Sequence, residues 1–425
     1  MVTFLLPRVC HLQVMVLLVM GSRPTFGFDL SSNTRPPIVS SSSSSSSSTL
    51  LSAAASSDAQ GLLYQVQEDM ITKRAIAEQG IMADNTNVTP LQPFKPKGAG
   101  TAGGFGGSSS QKSTAKKSGA ASSKVLQAQA QQYAQVLKED GVVCIENVLP
   151  ADLCDELRSY VLDDLLGNNN NNKNHFADVL LRKNRCDLTL PLSSVVLRGL
   201  HAALVESPVG ATMDILLSST NHNAMDCELY ELSCLVSQPG SDRQTIHPDT
   251  PCASKNEQPV LYTCFMALQD ITIDMGPTVF LPKTHTLEMH TQFQQDDDHV
   301  LVKDGDESPK DVLLRTNPIR LGLLSKGTVA IFDSRLLHAG TANQSQTDRA
   351  LFYCSFKNPT LPSAGNPGSI RPELVGQLTL GEITKDVVTY VKEYQKQQRK
   401  NKGESKGMAN WKQTSKLGQL SALME

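Results

Sequence analysis

The chain has 425 residues, 39% hydrophobic and 19% charged, with a formal net charge of −3. Its length allows more than one unit and its composition allows a buried core. The near-neutral balance excludes a global field that would gather nucleic acid or an anionic membrane surface.

In chain order, residues 1–27 have the pattern of a signal segment. Arg8 and His11 precede the apolar run Val14–Met20, which is too short to span a bilayer. Residues 28–123 form a low-complexity leader. Ser31–Ser57 is largely serine, and Lys95–Lys124 is rich in Gly, Ser and Lys. Such composition buries too little apolar surface to offset chain entropy, so a disordered N-terminal region is expected, packing against nothing. One short helix fits within Asp58–Gly80. A signal-like run before a Ser-rich, acid-poor stretch resembles the two-part leaders of algae with secondary plastids, with Phe26 and Phe28 near the junction. The expectation is entry into the secretory pathway, ending in such a plastid or, on the competing reading, outside the cell or in an endomembrane lumen. Asn87-Val-Thr89 is a glycosylation triplet in that case.

The compact part is expected over residues 124–372. Helices are predicted at Gln127–Glu139, from Pro150 to about Leu166, and over Val195–Leu217. A strand is predicted at Gly141–Val148, and Asn168–Asn172 reads as a surface insert. From Cys227 the pattern changes to short β-runs: Glu228–Ser237, Leu261–Leu268, Thr278–Leu281, Gly327–Phe332 and Arg349–Phe356, punctuated by Gly and Pro. A helical front followed by short strands implies an α+β chain with a double-sheet β-roll. Residues 373–425 are read as a C-terminal helix, Leu374–Lys400, and a basic solvated tail. Nine cysteines are present, none in a CxxC pair, and most sit in apolar runs, as small buried hydrophobes do.

Three pieces carry the chemistry. In Thr245-Ile-His247-Pro-Asp249 an imidazole and a carboxylate lie two apart, on one face of an extended segment. Alone this is weak, since a turn capped by Asp249 fits equally well. An apolar run then delivers His338 to a strand end, just before Gly340. Arg349 follows eleven residues later and opens the next β-run; folding the two runs against each other brings Arg349 beside His338. Two His and one carboxylate on one face leave three positions open on iron(II). A 2-oxo acid takes two of them and dioxygen the third, and arginine offers a planar bidentate cation to the distal carboxylate of the acid. His285 is the rival ligand, but it has no arginine at matching distance.

From about Tyr133 to Lys357 the chain resembles the phytanoyl-CoA dioxygenase family. The carriers are Lys138-Glu-Asp-Gly-Val-Val-Cys-Ile-Glu-Asn-Val-Leu, Leu235-Val-Ser-Gln-Pro-Gly-Ser with Gln244 and His-Pro-Asp, Ala267 to His285, and Phe332-Asp-Ser-Arg-Leu-Leu-His338-Ala-Gly with Arg349. The resemblance implies a double-stranded β-helix, or jelly roll, flanked by helices. It implies an Fe(II)- and 2-oxoglutarate-dependent hydroxylase using O2, with His247, Asp249 and His338 on the metal and Arg349 on the co-substrate. Phe265 corresponds to a bulky position beside the co-substrate in some relatives, or is ordinary core. Two departures stand out. Lys283 occupies a position where the family often has glycine, and Gly340 stands where some members offer a hydroxyl, a role Thr341 or Gln244 could fill. The expected partner is a small-molecule substrate, with no nucleic acid and no stable membrane span. Asp249 argues against halogenation, which needs a small residue there. A non-catalytic binding member of the same fold is the alternative from a different class. The C-terminus lacks a peroxisomal Ser-Lys-Leu ending.

Overall fold

A computed structural model describes residues 73–97, 119–167, 183–218, 222–255, 261–294, 307–361, 365, 368–400 and 405–424. The signal-like segment, the Ser-rich tract and the Asn168–Asn172 insert lie outside them.

Two sheets face each other. The large sheet has six strands in the order β2 (Val142–Ile145), β8 (Val329–Asp333), β5 (Leu261–Ala267), β10 (Arg349–Lys357), β4 (Glu228–Ser237) and β3 (Arg185–Thr189), every neighbouring pair antiparallel. The small sheet has the order β1 (Val88–Pro90), β7 (Ile319–Leu321), β6 (Thr278–Phe280) and β9 (His338–Gly340). This is the jelly roll expected from the sequence. The alternation of side chains along each strand divides the core. Phe352, Cys354, Cys264 and Met266 point outward into the large core shared with the helices. Leu351, Tyr353, Phe265, Phe280 and Phe332 point inward, between the sheets. Helices Ser194–His201, Val209–Leu217 and Leu380–Lys400 cover the outer face through buried Val196, Leu197, Leu200, Met213, Ile383 and Val387.

The strand expectations hold to within two residues at either end for β4, β5, β6, β8 and β10. The strand predicted over Gly141–Val148 stops early, because Asn147 takes a positive φ of 57° and turns the chain. The helix predicted over Val195–Leu217 is broken. A π-helical turn at Ala202–Glu206 ends it, and Pro208 precedes a new start. Pro lacks the N–H that an unbroken helix would need there.

Two expectations are corrected. The leader does not run unpacked to residue 123: residues 73–83 form a helix and β1 pairs in parallel with β7. Asn85 donates to the carbonyls of Leu314 and Asn317, at 3.0 and 2.8 Å. Composition hid this, because the segment lies between a serine-rich and a glycine-rich tract, while its buried Met82 and Leu91 and its polar anchors act on residues far along the chain. The C-terminal tail is not solvated either. Helices Lys406–Thr414 and Lys416–Met424 fold back and bury Met408, Trp411 and Leu417. Among the described residues no single helix is long and apolar enough to cross a membrane. Eight cysteines are described, all free; seven are buried and Cys186 is half-buried. Burial pushes the Cys144, Cys154 and Cys227 thiols up to about 12, which keeps them unreactive.

Candidate metal centre

The segment 244–247 runs antiparallel beside β9 and extends the small sheet. His247 and His338 are directly opposite residues: the His247 N–H donates to the His338 carbonyl at 3.0 Å, and the reverse bond measures 2.9 Å. That register sets the two rings side by side, with centroids 4.7 Å apart. Further along, the Thr250 N–H donates to the Ser334 carbonyl at 2.9 Å and holds Asp249 on the same edge. Asp249 Oδ1 then lies 3.9 Å from His247 Nε2 and 3.7 Å from His338 Nε2.

The donor set fits one metal ion. All three ligand atoms lie within 4.8 Å of one another. Two donors each about 2.1 Å from a shared ion can be at most roughly 4.2 Å apart, and both carboxylate–imidazole separations meet that limit. The ring tautomers fit as well. His247 Nδ1 donates to the Thr245 carbonyl at 2.8 Å, and His338 Nδ1 donates to the Leu336 carbonyl at 2.9 Å. Each ring thus turns an unprotonated Nε2 toward the convergence point, as metal-binding histidines require. Burial holds the His338 imidazole neutral, with a pKa lowered to about 4. Burial raises the Asp249 carboxyl, and His247 opposes that shift.

Arg349 reaches the interior from the other sheet. β9 and β10 do not pair with each other; they lie in facing sheets, so the hairpin register expected from the sequence is replaced by a crossing from one sheet to the other. Arg349 is fully buried. Its Nη2 donates to Ser237 Oγ at 2.9 Å, its Nη1 to the Gly276 carbonyl, and its Nε has no acceptor among the described residues. No carboxylate pairs with it among the described residues, and burial lowers its pKa to about 10. A buried cation left with only neutral partners is costly, which fits a site that receives an anion.

The remaining predicted residues are placed as follows. Gln244 clips Gly340 twice: its carboxamide oxygen accepts from the Gly340 N–H at 2.8 Å, and its own N–H donates to the Gly340 carbonyl at 2.8 Å. Phe265 lies mid-sheet, its ring 4.9 Å from Phe332, which is itself 4.9 Å from the His338 ring. Thr341 differs from expectation: its hydroxyl donates to the Pro277 carbonyl at 2.8 Å, so that proton is committed to the backbone. His285 is not a ligand here; its Nε2 faces the Lys138 carbonyl at 3.2 Å. Arg335 is held by Asp333, with its Nε 2.9 Å and its Nη2 2.6 Å from the carboxylate. Lys283 takes a left-handed backbone, with φ 67°, a conformation that favours glycine.

Sequence reasoning missed three buried charges. Arg185, on β3, donates to the carbonyls of Asp242 at 3.0 Å and Thr341 at 2.9 Å. A Cβ on Gly340 would meet Arg185 Nη1 at 2.4 Å, so the guanidinium fills the room a hydroxyl side chain would need. Asp187, also on β3, accepts from Tyr353 OH at 2.5 Å and Ser369 Oγ at 2.6 Å. Glu78 comes from the helix at 73–83 and accepts from the Ile246 N–H at 2.7 Å, one residue before His247. Its other oxygen lies 2.9 Å from Lys310 Nζ. Alternating charge on β3 reads from sequence as a solvated strand, and nothing local marks Glu78.

A jelly roll whose small sheet gathers two imidazoles and a carboxylate, facing a buried arginine, defines a class: the Fe(II)- and 2-oxoglutarate-dependent enzymes. The family model described as phytanoyl-CoA dioxygenase (PhyH) matches residues 137–351, half of the chain, and the protein belongs to that family. No curated protein matches it in sequence. Among solved structures it is similar to the non-haem α-ketoglutarate-dependent epimerase SnoN from nogalamycin biosynthesis, at 16% identity over 54% of this chain and 84% of that one, with a TM-score of 0.39. The carbocyclase SnoK from the same biosynthesis gives 15% identity, 59% and 91% coverage and a TM-score of 0.38. HygX from Streptomyces hygroscopicus, with nickel and 2-oxoglutarate bound, gives 14%, 56% and 95%, and 0.38.

Proposed function

We propose that the protein is an Fe(II)- and 2-oxoglutarate-dependent dioxygenase that hydroxylates a C–H bond of a small molecule. The observation that carries this reading is the pairing of a convergent His247–Asp249–His338 donor set with a fully buried Arg349 that has no carboxylate partner among the described residues. His247, Asp249 and His338 would hold the iron, and Arg349 would take the distal carboxylate of 2-oxoglutarate. Iron with 2-oxoglutarate and O2 supplies the oxidant: one oxygen atom leaves in succinate, carbon dioxide is released, and the other atom enters the product hydroxyl.

The chain's own contribution is positioning. The His247–His338 backbone bridge fixes the rings, and the Thr245 and Leu336 carbonyls fix their tautomers. Gln244 and Arg185 pack around Gly340, while Phe265, Phe332 and Phe280 exclude water from one side of His338. Asp249 keeps the carboxylate that a halogenating site would lack. The test is iron-dependent succinate formation from 2-oxoglutarate. With 18O2 and a turned-over substrate, hydroxylation puts label into the product, whereas epimerisation or cyclisation leaves the product unlabelled. Absence of iron-dependent succinate under all conditions would point instead to a binding protein on this fold.

A further inference from the structure

The inward face of the large sheet becomes polar toward one end. β10 presents Arg349, Leu351, Tyr353 and then Ser355, and β5 presents Ala267, Phe265 and then Thr263, by strand alternation. Ser355 and Thr263 are directly opposite each other, and both are buried. Neither hydroxyl has a hydrogen-bond partner among the described residues. On β3, Asp187 is 4% exposed; its Oδ2 accepts from Tyr353 and Ser369, Ser233 also neighbours the carboxyl, and among the described residues no donor lies within hydrogen-bond distance of Oδ1. An unpaired buried carboxylate oxygen and two unpaired buried hydroxyls each cost stability unless something completes them.

Their place relative to the metal follows from register. Arg185 contacts the Thr341 carbonyl and packs on Gly340, so the start of β3 lies across from the end of β9. One side-chain repeat along β3 is Asp187; one repeat back along β9 is His338. The free Asp187 oxygen therefore faces the gap between the sheets on the metal's side. Facing sheets are about 10 Å apart, so Asp187 and the metal ligands lie on opposite sides of one interlayer space.

We propose that Asp187, with Ser355 and Thr263, is the substrate-recognition wall, and that the substrate is a small polar molecule presenting an N–H or O–H donor to Asp187. This rests on the reading of His247, Asp249 and His338 as the metal site. An apolar acyl chain is the wrong complement: it would leave three buried polar groups unsatisfied. A donor group on the substrate satisfies Asp187 and holds a neighbouring C–H toward the metal.

The test uses the full chain loaded with Mn(II) and 2-oxoglutarate, with paramagnetic relaxation of probe protons as the readout. Ethanolamine, glycerol and octanoyl-CoA are the probes, representing an ammonium, a hydroxyl and an acyl chain. Relaxation of 2-oxoglutarate itself reports the metal site. The proposal expects ethanolamine or glycerol to be relaxed, at least a several-fold loss in Asp187→Asn, and a smaller loss in Ser355→Ala, with 2-oxoglutarate relaxation kept in both. Ethanolamine alone would identify an amine-bearing substrate, and both probes a hydroxylated one. Preferential relaxation of octanoyl-CoA, no relaxation of any probe, or unchanged relaxation in both variants overturns the proposal. Loss of 2-oxoglutarate relaxation in the unmodified chain would instead overturn the metal-site reading.

Discussion

The two sheets support their parts of the centre in different ways. The small sheet carries the imidazoles, yet β1, β6, β7 and β9 are three residues each. Strands so short make few ladder bonds, and the small sheet is braced from outside. Glu78 ties the backbone at Ile246 to Lys310, and Asn85 ties residues 73–97 to the Leu314 and Asn317 carbonyls. The large sheet has strands of ten, nine and seven residues in β4, β10 and β5. It holds Arg349 and Asp187 within its own ladder. The backbone beside His247 is therefore braced by a segment outside the family-matched residues, whereas Arg349 and Asp187 both lie within them.

Five measurements break or sharpen that contrast. The largest effect is expected from His247→Ala: loss of metal binding by calorimetry with Co(II), and of all succinate formation. Next is Glu78→Ala, which strands a buried Lys310 charge; both side chains are 3% exposed. Removing one partner of a buried pair costs about 3–5 kcal/mol. Denaturant unfolding should show that loss, Co(II) affinity should fall with it, and Lys310→Met should recover part of both. A stability loss with metal affinity intact would show that the brace is not coupled to the site.

Third is the pH dependence of Asp187. Burial raises its pKa from 3.8 to about 6. The folded state therefore holds the proton more tightly than the unfolded state does. Its contribution is fully present below the unfolded pKa and is lost as pH rises through the folded value, by about 3 kcal/mol. In metal-free protein, Asp187→Asn should remove that decline between pH 4 and 7, read as the difference between the two chains. Fourth is Arg349→Ala. Iron affinity should hold while 2-oxoglutarate affinity falls one to two decades, since a charge-assisted contact is worth roughly 1.5–3 kcal/mol. The smallest effect is expected at Lys283, whose positive φ is strained for a side-chain-bearing residue. Lys283→Gly should raise stability by at most about 1 kcal/mol, read as a small rise in Tm, with metal affinity unchanged.

What the sequence disclosed divides along the same line. β5, β8 and β10 announce themselves by nearly continuous apolar runs, because both of their faces are buried. His338 opens a strand after an apolar run, whereas His247 and Asp249 were legible only through their spacing of two residues. β3 escaped notice because Arg185 and Asp187 point inward, and charge at alternate positions ordinarily marks a wet face. The small sheet was legible only at β6, since three residues carry no period. The last two helices bury few side chains, Trp411 and Leu417 among them, within Lys- and Gln-rich sequence. Of residues 73–97 only the short helix was foreshadowed, because Glu78 and Asn85 act through backbone groups far along the chain.

That distance bears on how the protein is made. Asn85 bonds to the Leu314 carbonyl, 229 residues later. At synthesis rates of about 5–20 residues per second, the partner emerges on the order of 10–50 s afterwards. Until then the helix at 73–83 has no surface to dock on, and Glu78 has no Lys310. Contacts of such long range also slow folding, because the intervening loop must close before they form. The metal strand is therefore completed late, and during its synthesis the chain carries an unfinished small sheet with open edges. A nascent chain halted before residue 309 would have its large-sheet strands β2, β3, β4 and β5 in hand, but no means of closing the iron site.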